Sequence, residues 1–184
     1  MSSTRSGGRS AIVRARVLAA ASDLVTTKGP QNVTIPEIAQ RAGVAASSLY
    51  RRWGDVGALL LEMAAERLAQ KFPLPDEGSI EGDLRCWTEK IVLGLNSTEE
   101  PIFFRILLAA GDVAPEKRIK ALAPRREQLQ AMLERGRARG ERTPTVEDLV
   151  DHLLAPLYMR ALVGLPVNEA LAKHLVERLL NTPP

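Results

Sequence analysis

Cysteine, histidine and aromatic residues are scarce in this chain of 184 residues. The single cysteine, Cys86, has no second cysteine with which to form a disulfide within the chain. A protein without disulfides is typical of a reducing, cytoplasmic location. The two histidines, His152 and His174, have no cysteine neighbours, so they do not make a credible metal-binding cluster. We therefore expect neither a metal nor a cofactor.

Long apolar runs and the common catalytic motifs are also missing. No stretch approaches the roughly 20 apolar residues that span a membrane. The N-terminal segment MSSTRSGGRS has no apolar core, so it is not a secretory signal, and its composition predicts a disordered arm. The sequence has no H-E-x-x-H, G-x-G-x-x-G or G-K-[ST] motif. These absences argue against a membrane protein and leave an enzyme without a supporting motif.

Positive charge is concentrated at the N-terminal end. The net charge of the chain is only +3, but residues 1–53 carry eight Lys or Arg against two acidic residues, a net charge of +6. The remaining residues carry 17 basic and 20 acidic side chains, a net charge of −3. A basic unit joined to a mildly acidic body is typical of a nucleic-acid-binding domain attached to a separate body.

Hydrophobic periodicity predicts an all-α protein of about nine helices and no strands. Pro156 lies inside one predicted helix and should kink it, and Pro124 should interrupt another. The predicted helices cover about 10–28, 34–41, 45–53, 56–71, 80–95, 101–111, 115–139, 146–163 and 168–180.

Residues 34–60 contain the most informative pattern. Thr34 and Glu37 have the spacing of a capping box, which starts a short helix. Gly43 supplies a turn, and the helix that follows carries Leu49 and Trp53 at i, i+4 spacing on its inner face. This order predicts a helix-turn-helix, whose second helix enters the DNA major groove. A plain pair of amphipathic core helices is the alternative.

The outer face of this motif holds the candidate DNA contacts. Hydroxyl and guanidinium groups suit phosphates or base edges, and small apolar residues suit thymine methyl groups. The sequence does not determine which of them contact bases. The candidates are Thr34, Ala45, Ala46, Ser47, Ser48, Tyr50, Arg51 and Arg52.

Residues 10–62 resemble the DNA-binding domain of the TetR family of transcriptional regulators. The family pattern T-x-x-x-I-A-x-x-A-G-V-S-x-x-x-L-Y-x-H-F is matched by T34, I38-A39, A42-G43-V44 and L49-Y50, with Trp53 in place of the usual Phe. Ala46 stands where a polar residue is frequent, and Val56-Gly57 stands where the family often has a phosphate-contacting lysine. The resemblance implies that Tyr50 contacts a phosphate.

The resemblance also implies two domains. Residues 1–54 would form the basic arm and the three-helix DNA-binding domain. Residues 55–184 would form a helical regulatory and dimerisation domain, connected through the helix predicted at 56–71. An apolar or amphipathic ligand would bind among the helices predicted between 56 and 139. Candidate lining residues are Trp87, Phe103, Phe104, Leu107 and Met132, although each of them would equally suit a plain core.

The last two predicted helices are rich in leucine. A palindromic operator requires two recognition helices, and pairing of these helices with a second copy would form a four-helix bundle. A segment of them, A-P-L-Y-M-R, resembles a G-P-x-x-Y-R pattern found near the dimer-forming helices in one branch of the family. The alternative is that these helices close the core of one chain. The candidate interface residues are Leu149, Leu153, Leu157, Leu171, Leu175 and Leu179.

Together these features predict a homodimeric, sequence-specific regulator that binds a double-stranded DNA operator. The most consistent function is a repressor that a small molecule releases from a palindromic operator. Two other classes remain open. A helical enzyme would show turnover without DNA affinity, and a nonspecific architectural protein would show no salt-resistant preference for one operator.

Overall fold

A computed structural model describes residues 5–181 of the chain and the side chains from Ser10 onward. These residues form nine α-helices, two short 3-10 turns (Pro30–Asn32 and Ala109–Asp112) and no strand, which confirms the predicted all-α class. The helices are α1 (Arg5–Lys28), α2 (Ile35–Ala42), α3 (Ala46–Trp53), α4 (Val56–Lys71), α5 (Ile80–Leu95), α6 (Pro101–Leu108), α7 (Pro115–Ala138), α8 (146–162) and α9 (Glu169–Asn181).

The helices form two compact units. Unit 1 contains the chain up to Arg67 together with Ile106–Leu122, and unit 2 contains Leu68–Arg105 together with the chain from Ala123 onward. Each unit is therefore built from segments that are distant in sequence. The boundary after residue 54, which we placed from the sequence, remains a prediction about function.

In unit 1, α1 packs against α2, and α2 packs against α3. Val17, Ala21 and Val25 of α1 are fully buried because they recur on one face at helical spacing. Ile38 of α2 and Leu59 of α4 are likewise fully buried. This apolar core fixes the orientation of the two short helices, which would be unstable in isolation.

In unit 2, α5 packs against α9. Leu84, Trp87 and Ile91 line the inner face of α5, and Val176 and Leu179 come from α9. All five side chains are at most 4% exposed. No helix in the described part of the chain is long and apolar enough to cross a bilayer.

Three helices differ from their predicted extent. α6 ends at Leu108, and a 3-10 turn follows where its last residues were predicted. α1 begins at Arg5, so it includes part of the segment predicted as a disordered arm. Arg5 and Arg9 are two basic residues of that arm that could enter a minor groove or follow the DNA backbone, and their side chains lie outside the described side chains. α7 runs without a break through Pro124, where an interruption was predicted. Proline removes one helical hydrogen bond, but burial of residues on both sides, Ala121 and Leu129, holds the helical backbone in place.

Pro156 affects α8 in a different way from the predicted kink. The helix is regular over Val146–Leu149, widens into a π-helical turn over Val150–Leu154 and is regular again over Ala155–Leu162. In the wide turn the Ala155 amide donates to the Val150 carbonyl, five residues back. Since proline cannot donate and its ring crowds the preceding turn, a wider turn accommodates it without ending the helix.

Candidate nucleic-acid interface

The capping box predicted at the start of α2 is present. The Thr34 amide and hydroxyl donate to Glu37 Oε2 at 3.0 and 2.6 Å, and the Glu37 amide donates back to Thr34 Oγ1 at 3.4 Å. Thr34 is itself exposed and extended. The cap therefore orients the Thr34 side chain at the surface of unit 1 and fixes where α2 begins.

Lys28, at the end of α1, pairs with the capping carboxylate of Glu37. Hydrogen bonds from Lys28 and then from Thr34 lower the pKa of Glu37 from 4.5 to about 2. Both partners favour the ionised carboxylate, so Glu37 stays charged at any pH well above its lowered pKa. One glutamate thus caps α2 and links it to α1. The capping box predicted from the sequence did not include the contact with Lys28.

The turn between α2 and α3 depends on Gly43. Its backbone is left-handed, with φ 65° and ψ 43°, which residues with a Cβ rarely adopt. Arg16 of α1 donates from Nη2 to the Ala42 carbonyl at 2.7 Å. Arg16 was counted only as part of the basic N-terminal segment. It pairs with a carbonyl at the helix end, where α-helical carbonyls have no partner of their own.

The recognition helix, α3, has an inner and an outer face. Leu49 and Trp53 are 2% and 6% exposed, as their spacing predicted. On the outer face Tyr50 is 51% exposed. The other candidate contacts are exposed (Ala45, Ser47, Arg51, Arg52) or half-buried (Ala46, Ser48). Hydroxyl, phenol and guanidinium groups therefore lie together on one accessible helical surface.

Trp53 connects α3 to α4. Its indole Nε1 donates to Glu62 Oε2 at 2.8 Å, while Arg14 Nε donates to the other oxygen of Glu62 at 2.6 Å. Arg14 also pairs with Glu66 at 2.5 Å. The family pattern has Phe at the position of Trp53, and Phe has no hydrogen to donate. The substitution thus adds a polar contact that fixes α3 relative to α4.

Asp55 holds the start of α4. Its Oδ1 accepts from the Ala58 amide at 2.8 Å, and its Oδ2 accepts from Lys117 Nζ at 2.7 Å. The Lys117 contact and the backbone hydrogen bonds lower the pKa of Asp55 against the opposing effect of burial. Lys117 lies at the start of α7, and its contact with Asp55 could not be predicted because 62 residues separate the pair.

The candidate ligand-lining residues are divided between the units. Trp87, Phe103, Phe104 and Met132 are at most 3% exposed and lie in unit 2. Leu107 is half-buried and belongs to unit 1.

The candidate interface leucines are mostly interior. Leu149, Leu153, Leu157, Leu175 and Leu179 are at most 7% exposed within a single chain, and Leu171 is half-buried. These five pack inside unit 2 of a single chain, and their place at a dimer interface stays a prediction. Exposed apolar side chains lie elsewhere on the same segment, at Val150, Met159, Leu162, Val163 and Leu165.

Comparison with known proteins identifies the family. The model for bacterial regulatory proteins of the tetR family matches residues 17–63, and the model for the tetracyclin repressor-like C-terminal domain matches residues 74–179. The chain belongs to the TetR family. The predicted resemblance is confirmed, and the protein is a helix-turn-helix transcriptional regulator and not an enzyme.

Two curated relatives and one solved structure match this chain over most of its length. It is 30% identical over 183 residues to the uncharacterized HTH-type transcriptional regulator YdeS of Bacillus subtilis, covering 96% of this chain and 92% of YdeS. It is 31% identical over 170 residues to the HTH-type transcriptional regulator AqdR of Rhodococcus erythropolis, covering 91% and 80% of the two chains. The crystal structure of the TetR family regulator SCO0332 superposes with a TM-score of 0.77 at 29% identity, covering 94% of this chain and 99% of that one.

Proposed function

We propose that this TetR family regulator is a dimeric repressor that binds a palindromic operator and is released by a small molecule. The observation that carries the DNA-binding part is the outer face of α3. It places Tyr50, Arg51 and Arg52 at the surface of a short helix whose other face is anchored by Leu49 and Trp53. The proposal locates the protein in the cytoplasm, where it would reach its operator.

We assign backbone and base contacts as follows. Tyr50 and Thr34 contact phosphates, because a phenol or hydroxyl at a helix surface suits a single phosphate oxygen. Arg51 and Arg52 take phosphates or the O6 and N7 atoms of guanine. Arg52 also stacks over the Trp53 ring, with its guanidinium carbon 5.1 Å from the ring centroid, which holds it against its own helix. Arg51 is therefore the stronger candidate for base recognition.

A dimer interface is best supported on the exposed part of α8. Met159, Leu162 and Val163 have i, i+3, i+4 spacing and are 52–59% exposed. Two of these large apolar side chains lie at the end of α8 and Val163 directly follows it, and such an exposed group favours contact with another surface. A second copy is the partner that a palindromic operator requires.

Release by a small molecule is supported by the buried aromatic residues of unit 2 and by one structural neighbour. FadR of Bacillus subtilis, whose crystal structure is in complex with stearoyl-CoA, superposes with a TM-score of 0.58 at 16% identity. That level of identity supports a shared fold only. A domain of this fold can thus accommodate a large ligand. The chemical class of the ligand of this chain has to be inferred from its own residues.

The decisive experiment is a footprint on DNA that flanks the gene for this protein. We expect protection of two half-sites with two-fold symmetry, with centres about 34–36 Å or a multiple apart. Protection that shows no preferred sequence, together with binding that is lost uniformly as salt rises, would instead identify a nonspecific architectural protein.

A further inference from the structure

Arg125 is a half-buried cation in unit 2. It lies on α7, where Nη2 donates to the Phe72 carbonyl at 2.7 Å and Nη1 donates to Gln128 at 2.9 Å. Its guanidinium carbon lies 5.1 Å from the centroid of the Trp87 ring. Every one of these partners is neutral.

The charge of Arg125 is not balanced by a carboxylate. Among the side chains that the structure describes, no acidic group lies within ion-pair distance of Arg125. Burial lowers the pKa of Arg125 to about 10, which still leaves it protonated at neutral pH. A charge that is partly removed from water is stabilised when an opposite charge pairs with it.

Trp87 provides a second donor at the same place. It is 2% exposed, and its Nε1 has no acceptor among the described residues. A buried indole N–H normally has a hydrogen-bond partner. Two donors thus come together, one charged and one neutral, and both lack an anionic acceptor.

An aromatic cluster includes Phe72, whose carbonyl accepts from Arg125. The Phe72 and Phe104 ring centroids are 5.8 Å apart, and those of Phe104 and Tyr158 are 5.1 Å apart. Burial raises the pKa of Tyr158 far above its ordinary value, so the phenol stays neutral and does not supply the missing negative charge. This aromatic cluster therefore carries no charge, and the Arg125 guanidinium is the charged group next to it.

We propose that Arg125 and Trp87 form the anion-binding end of the ligand site, and that the ligand is a carboxylate attached to an apolar or aromatic body. The carboxylate pairs with the guanidinium of Arg125 and accepts from Trp87 Nε1, while its body packs against Phe72, Phe104 and Tyr158. This inference rests on the proposed function, since it gives the chemical class of the molecule that releases the operator.

The geometry distinguishes an anion from a neutral analogue. A charge-assisted hydrogen bond is about twice as strong as a neutral one, and the half-buried guanidinium is already partly desolvated before the ligand binds. A neutral amide of the same shape could accept from Trp87 but would leave the Arg125 charge unpaired. Discrimination should thus follow charge and depend on Arg125.

The test compares matched acid and amide probes by calorimetry on the full chain without DNA. The probes are 2-naphthoate against 2-naphthamide, and decanoate against decanol. We expect at least one carboxylate to bind about tenfold or more tightly than its neutral counterpart. Arg125→Met should abolish that preference, Arg125→Lys should keep part of it, and Trp87→Phe should weaken the carboxylate about threefold. Arg126→Met is the matched control, because Arg126 is an exposed neighbour that pairs with Glu147.

The inference is wrong if neither carboxylate is preferred, or if the preference persists unchanged in Arg125→Met. If Arg125→Met does not fold, Arg125→Lys and Trp87→Phe decide, and an unchanged preference in both contradicts the inference.

Failure of the proposed function gives a different result. An Arg125-dependent carboxylate that leaves operator affinity unchanged supports the anion site and contradicts ligand-controlled repression. A neutral compound that releases the operator equally well from wild type and Arg125→Met supports ligand-controlled repression and contradicts the anion site.

Discussion

Trp53, the last residue of α3, donates its indole hydrogen to Glu62 of α4 at 2.8 Å. Glu62 also accepts from Arg14 of α1 at 2.6 Å, and its side chain is only 16% exposed. A single carboxylate thus joins three helices of unit 1. The orientation of the recognition helix therefore depends on a polar contact as well as on apolar packing.

Glu62→Ala should lower both stability and operator affinity. It leaves the Trp53 indole and the Arg14 guanidinium without this partner, a loss of about 1–3 kcal/mol for partly buried donors. Urea unfolding and operator titration measure the two effects. Glu66→Ala is the control, since Glu66 also pairs with Arg14 and is more exposed. Equal losses in both variants would show that Arg14, and not the Trp53 contact, is responsible.

The capping carboxylate of Glu37 predicts a specific loss of stability in acid. Its folded pKa is about 2 against 4.5 in the absence of its partners. Because the pKa is lowered by folding, the stabilisation is complete above pH 4.5 and disappears as pH falls towards 2. Wild type should be more stable than Glu37→Gln at neutral pH, and the difference should shrink through this window. A difference that is constant with pH would show that Glu37 acts only through its shape.

Tyr50 and Arg51 should affect DNA binding in different ways. Tyr50→Phe should weaken binding to all sequences similarly, because a phosphate contact carries no base information. Arg51→Ala should cost about 1–3 kcal/mol and relax preference at one base position. A panel of single-base operator variants separates the two patterns, with Arg126→Ala as a control outside the recognition helix. Uniform loss for Arg51→Ala would assign this residue to the backbone.

Gly94 of α5 should tolerate no side chain. A Cβ at this position would lie 2.2 Å from Cζ of Phe72. The Phe72 ring would have to move, which should cost about 1–3 kcal/mol and outweigh the better helix propensity of alanine. Gly111→Ala is the matched control, because a Cβ there meets no atom within 4 Å. Thermal unfolding compares the two, and equal stability of both variants would contradict tight packing at Phe72.

Local signals in the sequence were sufficient for the DNA-binding motif. The capping box, the left-handed Gly43 and the inward pair Leu49 and Trp53 each depend on residues at most four positions apart. Contacts between distant residues were not predictable in the same way. Glu62 with Trp53 and Lys117 with Asp55 join different helices, so the sequence shows the residues but not the pairs.

The leucine-rich helices show a different limit of sequence reasoning. A leucine stripe indicates that one helical face is buried, but it does not tell whether that face packs in its own chain or against a partner. Burial of Leu149, Leu153 and Leu157 within unit 2 means that they pack in their own chain. Arg125 was equally hidden in the sequence, where it lies in a charged segment, R-R-E-Q, that favours a solvent-exposed face.

Met159 and Leu162 provide the test of the proposed dimer. Both side chains are more than half exposed in a single chain, so charging them should not disturb the core of unit 2. At a dimer interface the same change buries an unpaired charge, which is strongly unfavourable. Light scattering should give twice 20.1 kDa for wild type and 20.1 kDa for Met159→Glu/Leu162→Glu.

Leu93→Glu is the control, because Leu93 is 72% exposed on α5, and this variant should remain dimeric. The monomeric variant should also bind a palindromic operator far more weakly than wild type, while a single half-site should bind both proteins alike. A double variant that stays dimeric and keeps full operator affinity would place the interface on another surface.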